Sequence, residues 1–390
     1  MTVTKVSAVE SLGLENIQET VRQTGPCLSL FLPSYRPGGQ AKSMAAIIKT
    51  HLQEAARRLA QMKIPEASVT SLLEPLEDLT HEEQLLAGSH WGRAVYRSPS
   101  IFRQFEFIGP VNAALTIGGC FHLRPILAEL YLPSQFYLLK LSKKGVELLR
   151  CAGLEAEPVE LPAGVQETLV AALALEAPDH DLENRYAVGG STGSMRGVRF
   201  GTGDGRETQH TYLADYYKMV DRGIRELLNG SRAPLVLAGV DSDTAIYRMV
   251  NMYPNLLAAG VSGSFSGSMS IKENDLFEKA YWIVRSDSTE KAATRLKESR
   301  ERIAPARFSV HLDAILHAAV EGRVDRIYID ESAQRVGVLD DVKRADRSNW
   351  GEEDLLNLAA VETIFHGGQA FALPNSRMPD EAAVAAVFRY

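Results

Sequence analysis

Arg196, Arg199 and Arg206 stand among seven glycines in the run 189–206, and those residue types define the chemistry available there. A guanidinium is a planar, permanently charged fork that donates to phosphates and stacks on flat rings. Glycine at this density makes ordering the backbone costly and leaves little to bury. The stretch reads as a mobile, exposed finger whose strong interactions are with anions. Gly189, Gly190 and Ser191 open it, and His210 follows where an amphipathic helix pattern begins. His210 could contact RNA or act as a base, or stand as a plain exposed histidine.

Other groupings carry less. Gly201, Gly203 and Gly205 do not make a dinucleotide fingerprint, and the Gly-Lys-Ser/Thr of a phosphate loop is missing. In Gly263-Ser264-Phe265-Ser266-Gly267 a phenylalanine stands where a nucleophile elbow needs serine. Asp241-Ser242-Asp243 follows an apolar run and reads as a helix cap at a strand end rather than a metal site. Asp179-His180-Asp181 has no partner at ligand spacing, so neither a metal nor another cofactor is expected. Cys27, Cys120 and Cys151 are odd in number, widely spaced and set among apolar neighbours, as buried hydrophobes are.

These features need a scaffold, and composition bounds it. The chain has 390 residues, 45% hydrophobic and 23% charged, which fits a globular protein of two or three domains. A net charge of −7 excludes a surface that attracts nucleic acid as a whole. Contacts with nucleic acid must come from local patches. One is the finger. Another holds Arg36, Lys42, Lys49, Arg57, Arg58 and Lys63 against Glu54 alone. Apolar runs such as Ala171–Leu175 are too short to cross a bilayer, and the first residues lack a secretory layout. A cytoplasmic protein without a membrane partner is expected.

Periodicity supplies the elements. Strands are expected over 26–35, 91–97, 103–109, 135–141, 234–240, 324–330 and 335–339, with a hairpin turning at Lys143-Lys144-Gly145. Residues 111–117 are a strand or a helix start. Helices are expected over 41–62, 122–130 with Pro125 in the first turn, 209–228, from near Thr244, 287–304 and 308–320. Ser262–Ser270 reads as a linker.

The order of these pieces resembles a known family. CLSLFLPSY at 27–35 and CFHLRPILAEL at 120–130 are similar to the opening strand and the Phe-His segment of the archaeo-eukaryotic class I peptide chain release factors and Pelota. The hairpin, the glycine-rich finger, the long helix with basic residues and VLAG at 236–239 follow in the family's order. Arg389-Tyr390 is similar to its ending. The resemblance is closer to the bacterial branch, which includes the ribosome hibernation factor Balon, and it covers nearly the whole length.

The resemblance implies a mixed α/β fold of three domains, 1–132, 133–285 and 286–390, the last a small sandwich of the ribosomal-protein kind. It implies occupancy of the ribosomal A site. Tyr35 and Arg36 would face the decoding region, and the finger would meet ribosomal RNA towards the peptidyl transferase centre. The last domain would contact a translation GTPase such as elongation factor Tu, and the isolated protein would be a monomer. Release factors carry Gly-Gly-Gln at the tip of the middle-domain finger. Here the finger opens with Gly189-Gly190-Ser191, and Gly-Gly-Gln occurs only at 38–40 and 367–369, where it reads as turn chemistry. A non-enzymatic factor protecting idle ribosomes is therefore expected. A rescue hydrolase using Ser191 or His210, and an RNA-binding module using helix 41–62, are the alternatives.

Overall fold

The computed structural model describes residues 9–23, 25–34, 41–81, 91–109, 111–142, 145–162, 165, 204–264, 273–337 and 353–390; for residues 11, 41–43, 204–210 and 273–274 it describes backbone alone. The fold is mixed α/β. The chain divides into two compact units, Met1–Leu132 with Arg285–Tyr390, and Pro133–Val284. We call them the outer and the middle unit.

The chain opens with β1 (Glu10–Ser11), α1 (Leu14–Thr20), β2 (Cys27–Leu32), α2 (Ala41–Gln61), α3 (Glu66–Glu77), β3 (Gly92–Arg97), β4 (Phe102–Phe107) and β5 (Ala114–Gly118). These strands form one sheet in the order β1-β4-β3-β2-β5. Every residue of β2 is buried, because both faces of the sheet are covered. Leu28, Leu30 and Leu32 meet the apolar stripe of α2, which is Met44, Ile48, Leu52, Ala55 and Leu59, together with Leu72, Leu73 and Leu76 of α3. The opposite face offers Cys27, Phe31, Tyr96 and Phe105 to the last third of the chain.

The middle unit follows with β6 (Gln135–Ser142), β7 (Gly145–Ala152), β8 (Glu155–Val159), α4 (Asp204–Leu227), β9 (Leu235–Gly239), α5 (Asp241–Val250), β10 (Leu256–Ser262) and the start of α6 (Glu273–Arg302). The strand order is β10-β9-β6-β7-β8. The β6–β7 hairpin is antiparallel, while β6, β9 and β10 run parallel. α4 and α5 cover one face through Leu213, Tyr217, Val220, Ile224 and Tyr247. On the other, Phe277 of α6 stacks on Phe136 of β6 at 6.0 Å between ring centres.

The chain re-enters the outer unit within α6. β11 (Phe308–Ser309), α7 (Leu312–Val320), β12 (Val324–Asp330), β13 (Val336–Gly337), β14 (Glu353–Asp354), α8 (Leu355–Phe365), β15 (Gln369–Leu373) and β16 (Val384–Phe388) complete it. The sheet order is β11-β16-β12-β15. The first and last segments share one core, in which Phe31, Phe105, Phe121 and Leu127 join Ile315, Leu316, Leu356, Val361 and Ile364. Arg124 ties the segments together. It pairs with Asp354 at 2.8 Å and donates to the carbonyls of Asp330, Glu331 and Ala333.

Residues 122–130, expected as a helix, are instead a single 3-10 turn at Arg124–Ile126 followed by turns. Leu123, Ile126, Leu127 and Leu130 are all buried in the shared core. That burial gives the segment its helix-like apolar spacing without a helix. Cys27, Cys120 and Cys151 are all buried. Among the described residues no helix is long and apolar enough to cross a membrane.

Candidate functional site

The finger belongs to the middle unit, and the described residues on either side of it both sit on α4. Val165, the last described residue before it, packs into the core beneath α4. A Cβ at Gly223 would overlap the Val165 Cγ2 methyl, so only glycine lets the chain approach the helix this closely. At the other end α4 begins at Asp204. Gly223 lies nineteen positions after Asp204, about 28 Å at the α-helical rise of about 1.5 Å per residue. Val165 therefore lies beside one end of α4, and Asp204 stands at the other.

The apolar side of α4 is fixed by Leu213, Tyr216, Tyr217, Val220, Ile224 and Leu228. The opposite side presents Tyr212, Asp215, Lys218, Arg222 and Arg225 to solvent. Lys218 pairs with Asp215 at 2.8 Å, an exposed pair that contributes little stability. Arg225 is held differently. Its Nε lies 2.9 Å from Oδ2 of Asp221, whose side chain is 2% exposed. Oδ1 of the same carboxylate accepts from the Met252 N–H at 3.1 Å. Asp221 thus joins α4 to the loop after α5 and fixes a guanidinium at the surface. Burial pushes the neighbouring Tyr247 hydroxyl well above its ordinary range, and the Asp221 charge adds to this. Arg225 can meet phosphate oxygens from a prepared position, with Arg222 and the Tyr212 ring exposed on the same helix.

Gly189, Gly190, Ser191, Arg196 and Arg199, with Tyr35 and Arg36, lie outside the described residues. Arg206 and His210 fall in the first two turns of α4, and their side chains lie outside the described atoms. Arg222, Arg225 and Asp221 were missed in the sequence. Their signal was the polar face of the helix, spaced three and four residues apart opposite the apolar stripe. On α2, Arg57 and Arg58 both bind Glu54, at 2.7 and 3.1 Å, and the hydrogen bond from Arg57 is the largest influence holding that carboxyl below its usual range.

Two motifs take definite form. α5 starts at Asp241 with Val240 as its cap residue, so Asp241 does not cap the helix through its side chain as expected. Asp241 instead accepts from the Ser262 hydroxyl at 2.7 Å, and Asp243 is buried. Among the described residues, no group of His, Cys, Asp and Glu could hold a metal ion. Gly367-Gly368-Gln369 is a helix stop. Gly367 has φ +75°, and the Gly368 N–H reaches back to the Thr363 carbonyl at 2.8 Å, which closes α8 before Gln369 begins β15.

Residues 136–286 match the family model described as bacterial archaeo-eukaryotic release factor family 7. The match covers nearly all of the middle unit and runs two residues into α6 of the outer unit. No curated protein matches the chain. Among solved structures, an archaeal translation termination factor aRF1 is 13% identical, over 97% of this chain and 99% of that one, with a TM-score of 0.24. Archaeoglobus fulgidus Pelota is 14% identical, over 77% and 80%, with a TM-score of 0.34. S. cerevisiae Dom34, described as a translation termination-like factor interacting with Hbs1, is 10% identical over 77% and 80%, with a TM-score of 0.31.

Proposed function

We propose that this chain, whose residues 136–286 match the model of bacterial archaeo-eukaryotic release factor family 7, is a ribosome-associated translation factor that occupies the A site and protects idle or stalled ribosomes without releasing peptide. The finger 189–206 meets ribosomal RNA, with Arg196, Arg199 and Arg206 as its cationic contacts and Arg222 and Arg225 of α4 behind them. The last segment contacts a translation GTPase of the elongation factor Tu kind, and the protein acts in the cytoplasm.

One observation carries the absence of release. Family members that hydrolyse peptidyl-tRNA place Gly-Gly-Gln on the middle finger, and here residues 133–285 contain no such triplet. The triplet at 367–369 is used up in closing α8. Finger chemistry is thereby reduced to donation and stacking.

Ribosomes from starved cells, sedimented at low salt with the purified chain, test the reading. Co-sedimentation without release of peptide from stalled complexes is expected. Absence from the ribosomal fraction overturns association, and released peptide favours a rescue hydrolase acting through Ser191 or His210.

A further inference from the structure

Each of the three larger sheets has two edges, and among the described residues five of those six edges are blunted. β1 and β11 are two residues long. β8 carries Glu155, Glu157 and Pro158. β10 is broken by a register shift between Leu256 and Gly260. β15 is covered by Tyr131, whose hydroxyl accepts from the Ala370 N–H at 3.0 Å. These are the devices by which proteins keep strand edges from pairing with other chains.

β5 carries none of them. It is Ala-Leu-Thr-Ile-Gly, without charge or proline, and pairs with β2 in unbroken register from Phe31–Ala114 to Cys27–Gly118. Among the described residues no strand lies on its other side. Successive side chains of a strand point to opposite faces. Leu115 and Ile117 join the α2–α3 core, whereas Ala114 and Thr116 line a cleft of about 520 Å³ in the outer unit. Asn112 continues the cleft wall ahead of the strand, and Gln334 contributes from the loop after β12.

Charge narrows the occupant. Arg124, which lines the cleft, is held by Asp354 at 2.8 Å. Arg285, also on its wall, lies 2.8 Å from Glu129 and 3.9 Å from Glu331. Arg124 already has the Asp354 carboxylate, and Arg285 is engaged by the Glu129 carboxyl and faces the Glu331 carboxylate, which also repels anions from the cleft. The remaining recognition chemistry includes neutral donors and acceptors on small side chains, beside the outer edge of β5, which no strand pairs among the described residues. That edge ends at Gly119, whose N–H is taken by Glu353 Oε1 at 2.7 Å.

We propose that β5 is an acceptor edge for an extended peptide segment, which pairs with Ala114–Gly118 and lays alternate uncharged side chains in the cleft. Main-chain hydrogen bonds would give the affinity and the cleft the selectivity, as in other cases where a strand is added to a sheet. A nucleobase would use the neutral side chains but not the strand edge, so the edge favours a peptide. The inference is independent of ribosome binding, because it rests on the outer unit alone.

The test uses the full chain. Displayed random decapeptides are selected on it, and the enriched sequences are synthesised. Expected are saturable binding with Kd below about 100 µM, uncharged side chains at alternate peptide positions, and slowed amide exchange at 114–118 on binding. Ala114→Arg, which puts bulk and charge on the cleft face, should weaken binding at least about tenfold. Thr116→Lys, at an exposed position, gives the same readout if the first variant does not fold. Slow exchange in the free protein at those amides of 114–118 that point away from β2 would overturn the proposal, because the chain would then cover its own edge. Binding indifferent to both variants would overturn it too, as would a cleft that takes adenosine or uridine while no peptide binds.

Discussion

The side chain of Asn357 accepts a hydrogen bond at 2.7 Å from the backbone N–H of Leu123, which precedes it by 234 residues. Its Nδ2 donates to the Phe121 carbonyl at 2.9 Å, so one amide satisfies both sides of a buried strip of backbone. Asn357 is 4% exposed. Asn357→Leu leaves an N–H and a C=O buried without partners, and should destabilise the outer unit by about 2–4 kcal/mol. Urea unfolding measures this. A loss below about 1 kcal/mol would mean that the strip finds other partners.

Gly223 and Val165 form a second pair whose effects must be read together. Gly223→Ala should lower the stability of the middle unit, although alanine is the better helix former by about 1 kcal/mol. The added methyl overlaps Val165. Val165→Ala in the same chain should restore most of the loss, because it vacates that space. A double-mutant cycle by thermal melting shows the coupling; strictly additive effects would contradict the contact.

Glu129, which is buried, and His122, which is partly buried, act in opposite directions with pH in the outer unit. Burial pushes Glu129 up to about 7, against the pull of Arg285. The folded state then holds a proton that the unfolded chain releases near 4.5, so stability is lost as pH rises from there through 7. Burial pushes His122 down to about 4, with Asp354 opposing and Arg124 assisting. Its contribution is lost as pH falls from 6.5 through 4. Each shift corresponds to about 3 kcal/mol, so the two largely cancel between these limits. Glu129→Gln should expose the loss on the acid side, and His122→Asn the loss towards neutrality. Unfolding curves from pH 4 to pH 8 check both; variants that leave the wild-type pH profile unchanged would exclude this balance.

Ribosome binding should depend on salt through the finger. Replacing Arg196, Arg199 or Arg206 by alanine should weaken binding and reduce the slope of log affinity against log salt by about one for each phosphate left without its arginine. Melting temperature should not change. Sedimentation over a salt series gives the slope, and an unchanged slope would remove these side chains from the interface.

Legibility in the sequence followed burial geometry. β2 and β9 are buried along their whole length, so they read as continuous apolar runs. α2 and α4 bury one side and read as helices. α8 is buried at nearly every position, has no period to detect, and was not seen as an element. β8 and β10 lie at sheet edges; β8 is mostly charged, and β10 breaks its apolar residues with Ala258-Ala259-Gly260, so neither carries a regular strand signal. α6 starts fourteen residues before the expected helix. Its early apolar residues, Leu276, Phe277 and Ala280, belong to the middle unit, whereas Ala292 and Leu296 serve the outer one, so no single stripe runs its length. The arginines of the finger were visible from composition. The Asp221 node was not, because a buried carboxylate on a helix gives no sign of the loop amide it will hold.

The shared core of the first and last segments has a consequence for biosynthesis. The stretch 133–284 is an insertion, complete in itself once translated, and can settle as soon as it leaves the exit tunnel. The opening sheet must wait. Phe31, Tyr96 and Phe105 meet their neighbours from α7 and α8 only after more than three hundred residues have been made. Until then that face has only the apolar side chains of the first segment, such as Ile17, Phe121 and Leu127, against it, and chaperones have the longest opportunity to engage this polypeptide there.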